Sequence, residues 1–330
     1  MSDAVSPMKV SCAFPPSASV PGDIVLAEQL GYARAWCYDS PALYGDVWMT
    51  LALAAERTSS IGLGPAVLIP SLRHPMVNAS ALMTLEELAP GRVAAALGTG
   101  FTGRNTMGQP PMRWDDVTEY FRVLRALLRG EETVWEGQIV KIMERAPVDI
   151  PLLVAGDGPK GRAVAVELGD GIFCSGGPAV GDGLPDWRGL LISGTVVQPG
   201  EQLSDERIMD AAGPSLAVVF HGIYQNRGAE AVDALPGGRA WREFVEDVAV
   251  ERRHLAVHEG HLARVTERDR AAVQEAIELL PRMSYTGSAE QLRERVAELR
   301  AKGVTEIAYQ PTGSDVAGEL ERFMAAVGEG

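Results

Sequence analysis

The chain runs to 330 residues, 46% of them hydrophobic and 22% charged. So much core material excludes a disordered or fibrous protein, and the length admits either two modest domains or one large closed α/β barrel. Thirty Lys and Arg against 44 Asp and Glu give a net charge of −14, which disfavours general binding to nucleic acid or to an anionic membrane surface, so any anionic ligand must find a local basic pocket.

Cys12, Cys37 and Cys174 are odd in number and far apart. That suits the reduced thiols of a cytoplasmic protein better than a disulfide framework, and none shows zinc spacing. The start carries Asp3 and lacks a basic region ahead of a long apolar stretch, so no signal peptide is expected. No apolar run reaches the roughly 18 residues of a membrane helix.

From Met8 onward short β-type runs alternate with amphipathic helical runs, the pattern of a parallel sheet covered by helices. Residues 9–14 read as the first strand. A helix follows, with Asp23 as N-cap, Ile24, Ala27 and Leu30 on one face and Gly31 as the stop. Residues 33–38 form the second strand, a helix begins near Asp46, and 61–68 form the third strand. Pro75 opens the next helix and Pro90-Gly91 closes it, ahead of a strand at 93–97. Asp115 or Asp116 caps a helix carrying Val117, Phe121, Leu124 and Leu128 at helical spacing, which Gly130 closes. Residues 133–143 look like a hairpin flap. Strands at 152–155 and 172–174 flank a helix over 159–168, and 190–197 reads as the seventh strand. Near the end, Ser288-Ala289-Glu290-Gln291 is a capping-box pattern that opens a helix, and residues 307–309 make the eighth strand.

Gly31, Gly169 and Gly303 each end a helix just ahead of a strand. Repeated β-α units with this count favour a (β/α)8 TIM barrel over an open sheet. About a hundred mostly helical residues separate the seventh and eighth strands. They are read as a large helical insertion, approximately 200–285, over the barrel mouth of a single domain spanning 1–330, where active sites sit.

The best chemical signal is Gly156-Asp157-Gly158-Pro159-Lys160-Gly161, set between an apolar strand and a helix. Glycines let backbone approach an anion, helix N–H groups point at it, and Lys160 adds charge. The run also satisfies G-x-G-x-x-G, but a dinucleotide fold wants an acidic residue about 20 positions on. Here the next strand ends in Ser175-Gly176-Gly177. A tight structural turn is the other reading. Gly98-Thr99-Gly100 closes the fourth strand, where a glycine pair lets a flat ring lie against backbone or simply turns the chain. Gly64 and Pro65 inside the third strand imply a bulge or close ligand approach. Asp39 ends the second strand, as a functional carboxylate or as a loop cap.

His254, His258 and His261 recur at i, i+4, i+7, which would put them on one helical face. Glu259 follows His258 directly, so this is not H-E-x-x-H, and Gly260 can end the helix before His261 joins it. Substrate or proton-transfer work and packing beneath the insertion are the readings preferred over a metal, and no metal site is assigned. Neither G-x-S-x-G nor a Walker lysine followed by Ser or Thr occurs, so hydrolase and NTPase readings are weak.

Five blocks in order, AEQLGYARAWCYDSP, AERTSSIGLGPAVLIPSLRHPMVNASALMTLEELAPGRVAAALGTG, EYFRVLRALLRGEETVWEG, PLLVAGDGPKGRAVAVELGDGIFCSGG and TGSAEQLRERVAELRAKGVTEIAY, resemble the bacterial luciferase-like flavin and deazaflavin oxidoreductases. The branch they most resemble is that of F420-dependent reductases similar to methylene-tetrahydromethanopterin reductase. The resemblance implies a TIM barrel that binds coenzyme F420, with FMN as the alternative. It implies a phosphate cradle at Gly156, Asp157, Gly158 and Lys160 with the edge Ser175, Gly176 and Gly177. It places a non-prolyl cis peptide at Ala66-Val67 against the ring, and sets Asp39, Thr99, Gly100, Arg104 and Asn105 among the cofactor contacts. Lys160, with Arg104, Arg252 or Arg253, would face the anionic tail.

Relatives acting on sugar phosphates carry His after the strand-two Asp and Glu after G-T-G. This chain has Ser40 and Phe101, which argues against a sugar-phosphate dehydrogenase. Tyr44, His221, His254 and His258 are then the candidate proton donors, and Phe101, Trp48 and Trp114 an apolar substrate wall. The implied enzyme moves a hydride between the deazaflavin C5 and a small, fairly apolar acceptor, an activated C=C or C=N. An FMN-dependent monooxygenase served by a flavin reductase partner and a non-catalytic flavin-binding relative are the alternatives. The expected partners are a small-molecule substrate and a possible homodimer, with no nucleic acid and no membrane.

Overall fold

The computed structural model describes residues 8–328. Asp3, on which the reading of the start rests, lies outside the described residues. Ten strands are defined: β1 Lys9–Phe14, β2 Arg34–Cys37, β3 Gly62–Leu68, β4 Ala95–Gly98, the hairpin β5 Thr133–Trp135 with β6 Gln138–Val140, β7 Leu152–Ala155, β8 Gly171–Cys174, β9 Trp187–Ser193 and β10 Glu306–Gln310. Eight of them close into a barrel in the order β1-β10-β9-β8-β7-β4-β3-β2. The pairs β1·β2, β2·β3, β3·β4, β4·β7, β7·β8 and β8·β9 are all parallel. The expected (β/α)8 barrel is therefore what the chain forms.

The helices are α1 Val20–Gln29, α2 Val47–Arg57, α3 Pro75–Leu88, α4 Phe101–Asn105, α5 Trp114–Leu128, α6 Pro159–Leu168, α7 Glu206–Arg227, α8 Gly238–Glu246, α9 Arg253–Val257, α10 Glu267–Glu275, α11 Leu280–Met283, α12 Ala289–Ala301 and α13 Val316–Val327. Local chemistry explains several ends. Asp46 caps α2 by accepting from the Trp48 and Met49 N–H groups at 2.9 and 3.0 Å. The capping box at α12 is reciprocal: Ser288 N–H donates to Gln291 Oε1 at 2.9 Å and Gln291 N–H to Ser288 Oγ at 3.2 Å. Asp23, expected as a cap, instead lies in the first turn of α1, which starts three residues earlier. Pro21 explains the earlier start, because its fixed φ and missing N–H suit a first turn.

The chain packs as two compact units: one up to Gly103 with Pro110–Leu191 and Leu299–Ala308, the other Arg104–Gln109, Ile192–Glu298 and from Tyr309 onward. The core of the first unit mixes small and large side chains, Ala13, Ala66, Ala94, Ala96 and Ala308 beside Trp36, Tyr38, Leu153 and Phe173. A Cβ on Gly64 would stand 1.8 Å from the Ala94 carbonyl oxygen, so only glycine permits that strand approach. Glu306 is buried there, accepting from the indole N–H groups of Trp36 at 2.8 Å and Trp187 at 2.6 Å.

The second unit has its own apolar centre, built from Ile208, Leu216, Phe220, Trp241, Val245, Val257, Val273 and Leu280. In it α13 packs by stacking Phe323 on Tyr309, ring centroids 3.9 Å apart. Among the described residues no helix is long and apolar enough to cross a membrane.

Candidate active site

The ends of β2, β3 and β4 converge within the first unit. Asp39, one residue beyond Tyr38, is buried at 3% exposure and takes Arg73 Nη1 on Oδ2 at 2.7 Å. Burial pushes its carboxyl up from the usual carboxylate range, and the Arg73 guanidinium opposes that rise. Arg73 also reaches Asp46 at 3.2 Å, while its carbonyl accepts from Tyr120 OH at 3.0 Å. Asp39 is thus an ion-pair partner inside a network, and Arg73 is the residue the sequence reading missed. The signal was available, because Arg73 begins the R-H-P run in the longest family-like block. His74 in that run caps α3, its Nδ1 accepting from Met76 N–H at 3.1 Å.

The peptide Ala66-Val67 is cis, as the resemblance implied, and the β3·β4 register shifts between Ala66 and Leu68. Close packing surrounds the glycines at the neighbouring strand ends. A Cβ on Gly98 would meet the Ala155 carbonyl oxygen at 2.8 Å and Val67 Cγ1 at 3.0 Å. Gly100 has φ +73°, and a Cβ there would stand 2.5 Å from Ile69. The Thr99 carbonyl accepts from Met112 N–H at 2.9 Å. Tyr44 packs beside Tyr38 with centroids 6.1 Å apart, and burial pushes its phenol up.

The glycine-lysine turn divides by role. Gly156 and Gly161 face each other so closely that a Cβ on either would lie within 3 Å of the other's Cα and of Trp114, so these two serve helix-strand packing. Gly158 opens α6, no side chain caps its first turn, and a Cβ there would meet nothing within 4 Å. The N–H groups of that turn and exposed Lys160 are therefore presented to an anion. Asp157 points the other way: its carboxylate accepts from Ser175 N–H at 2.9 Å, Gly176 N–H at 3.0 Å and Ser175 Oγ at 3.2 Å. The β8 edge thus already spends donors of Ser175 and Gly176 on a carboxylate. A Cβ on Gly177 would meet nothing within 4 Å.

Trp48 and Trp114 have other work. Trp48 lines an apolar groove of about 570 Å³ between α2 and α3, with Met49, Met76 and Val77, and Trp114 is wedged on Gly156 and Gly161.

In the second unit, Asn105 donates to Gln225 Oε1 at 2.9 Å, and Arg253 donates to the carbonyls of Glu246 and Val248. The expected single face of His254, His258 and His261 does not form. The short α9 ends at Val257, Gly260 turns the chain at φ +72°, and His254 stays outside the cluster, near Gly108. His221, from α7, takes its place. His221 and His258 are buried at 1% exposure each, and burial pushes their imidazoles down, that of His258 to about 3. Neutral, buried rings are poor proton donors at physiological pH, which argues against the expected roles of His221 and His258.

A strand-end carboxylate, a glycine-lined edge and an open helix N-terminus at the barrel strands' carboxyl ends are the parts of a ligand site in this architecture. The family model of the luciferase-like monooxygenases matches residues 23–306. This chain belongs to that family. Luciferase-like relatives include the F420-dependent glucose-6-phosphate dehydrogenase of Beutenbergia cavernae, 34% identical over 179 residues that take in 46% of this chain and 51% of that enzyme. The chain thus spans about half the length of that relative. It is 26% identical over 315 residues to the 5,10-methylenetetrahydromethanopterin reductase of Archaeoglobus fulgidus, covering 88% of this chain and 89% of the other. The coenzyme F420-dependent tetrahydromethanopterin reductase from Methanopyrus kandleri shares the fold, with a TM-score of 0.68 over 98% of this chain and 99% of that one at 18% identity.

Proposed function

We propose that this luciferase-like protein is an F420-dependent oxidoreductase acting on a small, fairly apolar acceptor with an activated C=C or C=N bond. The observation that carries the reading is the uncapped start of α6 with Lys160 exposed beside it, a site that suits the phosphate of a cofactor tail. The Beutenbergia cavernae relative and the Methanopyrus kandleri structure, both named for F420, support it. When bound, the deazaflavin would supply or accept the hydride at C5. The chain's own part is to hold and orient: Gly158 and Lys160 at the phosphate, and Ala66, Val67, Thr99 and Gly100 against the ring. Tyr44, whose phenol burial keeps protonated, is the hydroxyl proposed within the barrel unit to donate a hydrogen bond at the acceptor. Ser40 and Phe101 keep the reading away from sugar phosphates. The three buried free thiols, Cys12, Cys37 and Cys174, suit a cytoplasmic protein.

The test is titration of the purified protein with F420 and with FMN, followed by absorbance and fluorescence. Binding of F420 and oxidation of its reduced form by an acceptor support the proposal. Preferential FMN binding favours a monooxygenase, a reading that the family name and an FMN-bound monooxygenase of the same fold, TM-score 0.60, keep in view. Lys160→Ala should weaken binding of the chosen cofactor by about 1.5–3 kcal/mol, the worth of a charge-assisted hydrogen bond. An unchanged dissociation constant removes Lys160 from the site.

A homodimer belongs to the same proposal. Met49, Leu53, Val77 and Leu88 are exposed apolar side chains on α2 and α3, and a second copy of this chain would cover them. Val77→Arg should then lower the sedimentation coefficient from a dimer's to a monomer's; a wild-type monomer at micromolar concentration overturns this part.

A further inference from the structure

We infer that His221, His258 and His261 form a binding site for one Zn2+ ion, held by the three Nδ1 atoms. The inference does not rest on the cofactor reading, since all three residues belong to the second unit and the test below reads no cofactor.

His261 Nδ1 lies 3.2 Å from His221 Nδ1 and 3.2 Å from His258 Nδ1, and the three candidate ligand atoms all fall within 4.8 Å of one another. A ring nitrogen carries either one proton or one lone pair, so it makes one well-aligned hydrogen bond. His261 Nδ1 has two neighbours of its own kind at that distance. Proton placement satisfies one contact and leaves the other poorly met. A cation satisfies all three at once, because each Nδ1 then points a lone pair at the same ion. The two contacts of His261 also match in length: zinc–nitrogen bonds of about 2.0–2.1 Å in tetrahedral geometry put neighbouring ligand atoms about 3.3 Å apart.

The surroundings are those of a ligand set rather than of a surface cluster. All three rings are buried, and burial holds them uncharged, the protonation state that ligates. With Nδ1 on the metal, the proton sits on Nε2, and the Nε2 atoms of His221 and His258 are buried without a hydrogen-bond partner among the described residues. His221 Nε2 is 3.8 Å from Asp269 Oδ1. That carboxylate is itself fixed by Trp241 Nε1 at 2.7 Å, Arg268 Nε at 3.0 Å and Thr266 Oγ1 at 2.6 Å, as an outer-shell carboxylate behind a metal-bound histidine would be. Trp241 stacks on His221 with centroids 5.8 Å apart and walls the site.

The backbone that presents His261 is left-handed on both sides, and on one of them the residue is not a glycine. Gly260 has φ +72° and Leu262, a non-glycine, φ +54°. The Leu262 carbonyl is held by Gln310 Nε2 at 2.8 Å. Such conformations persist where surrounding structure enforces them, and they gather at functional sites. Three neutral imidazoles with a fourth position left for water or another donor are a known zinc ligand set.

The experiment uses the full chain, stripped by dialysis against a chelator and titrated with Zn2+ in competition with a chromophoric chelator, with Co2+ as the spectroscopic probe. One equivalent of Zn2+ should bind at micromolar or tighter affinity, and Co2+ should give the visible bands of a tetrahedral site. Saturating Zn2+ should raise the melting temperature by roughly 2–4 °C. His261→Gln and His258→Gln should each weaken binding at least tenfold and abolish the melting shift. If the stripped wild type takes up no Zn2+ at tens of micromolar, the site does not exist. If both variants bind as wild type does, the metal sits on the acidic surface and the assignment is equally overturned. The wild-type titration stands even where a variant fails to fold.

Discussion

Replacing Arg73 with alanine should destabilise the protein by about 3–5 kcal/mol at neutral pH and by much less near pH 4. Asp39 is almost wholly buried, and Arg73 is the cation bonded to it at 2.7 Å. Removing the guanidinium leaves a carboxylate with neither water nor counter-charge. Burial already raises the Asp39 carboxyl in the folded protein, with Arg73 holding it back, so the variant's value must rise further. A group whose folded value lies above its unfolded one contributes stability at low pH, and that contribution is lost as pH rises through the folded value. The deficit of Arg73→Ala should therefore grow from about pH 4 upward. Urea melts at pH 4, 5.5 and 7 measure it; a deficit equal at all three refutes the argument. Arg73→Lys should recover part of the loss at pH 7, since it restores charge without the two-pronged reach to Asp39 and Asp46.

Glu306→Leu should cost about 3–5 kcal/mol for a related reason. Its two carboxylate oxygens each take one indole N–H, from Trp36 and Trp187, and the half-buried Arg34 guanidinium lies 5.1 and 5.3 Å from the same two rings. Leucine leaves two indole N–H donors unpaired, that of the fully buried Trp36 and that of the half-buried Trp187, and removes the charge that offsets the half-buried Arg34. Glu306→Gln, which keeps one acceptor, should cost less, about 1–2 kcal/mol. Chemical denaturation followed by tryptophan fluorescence reads both. A Glu306→Leu protein within 1 kcal/mol of wild type would show that the cluster contributes little.

The barrel was legible because its strands announce themselves locally. Residues 9–14, 152–155 and the helix 159–168 are bounded in the structure as in the sequence. Gly and Pro punctuate these runs, and in the two strands burial on both faces favours apolar side chains, as at residues 12–14 and 152–154. The seventh strand sits earlier than expected, at Trp187–Ser193, with Val196 making only an isolated bridge to Gly287. Apolar residues continue past its end, so hydrophobicity alone does not mark the stop. α13 was overlooked although Asp315 caps it, accepting from Gly318 N–H at 3.0 Å, and Leu320, Phe323 and Val327 are buried at helical spacing.

The order of β-α units, the glycines at strand ends and the capping residues follow from the chain read locally, since each depends on neighbours within a turn or a strand. What pairs with what across long separations did not. The Asp39–Arg73 bond, the grip of Asp157 on Ser175 and Gly176, the indole pair on Glu306 and the meeting of His221 with His258 and His261 all join residues far apart or on different elements. Their chemistry is set by burial and by which side chains packing brings within about 3 Å, and a linear spacing rule carries neither.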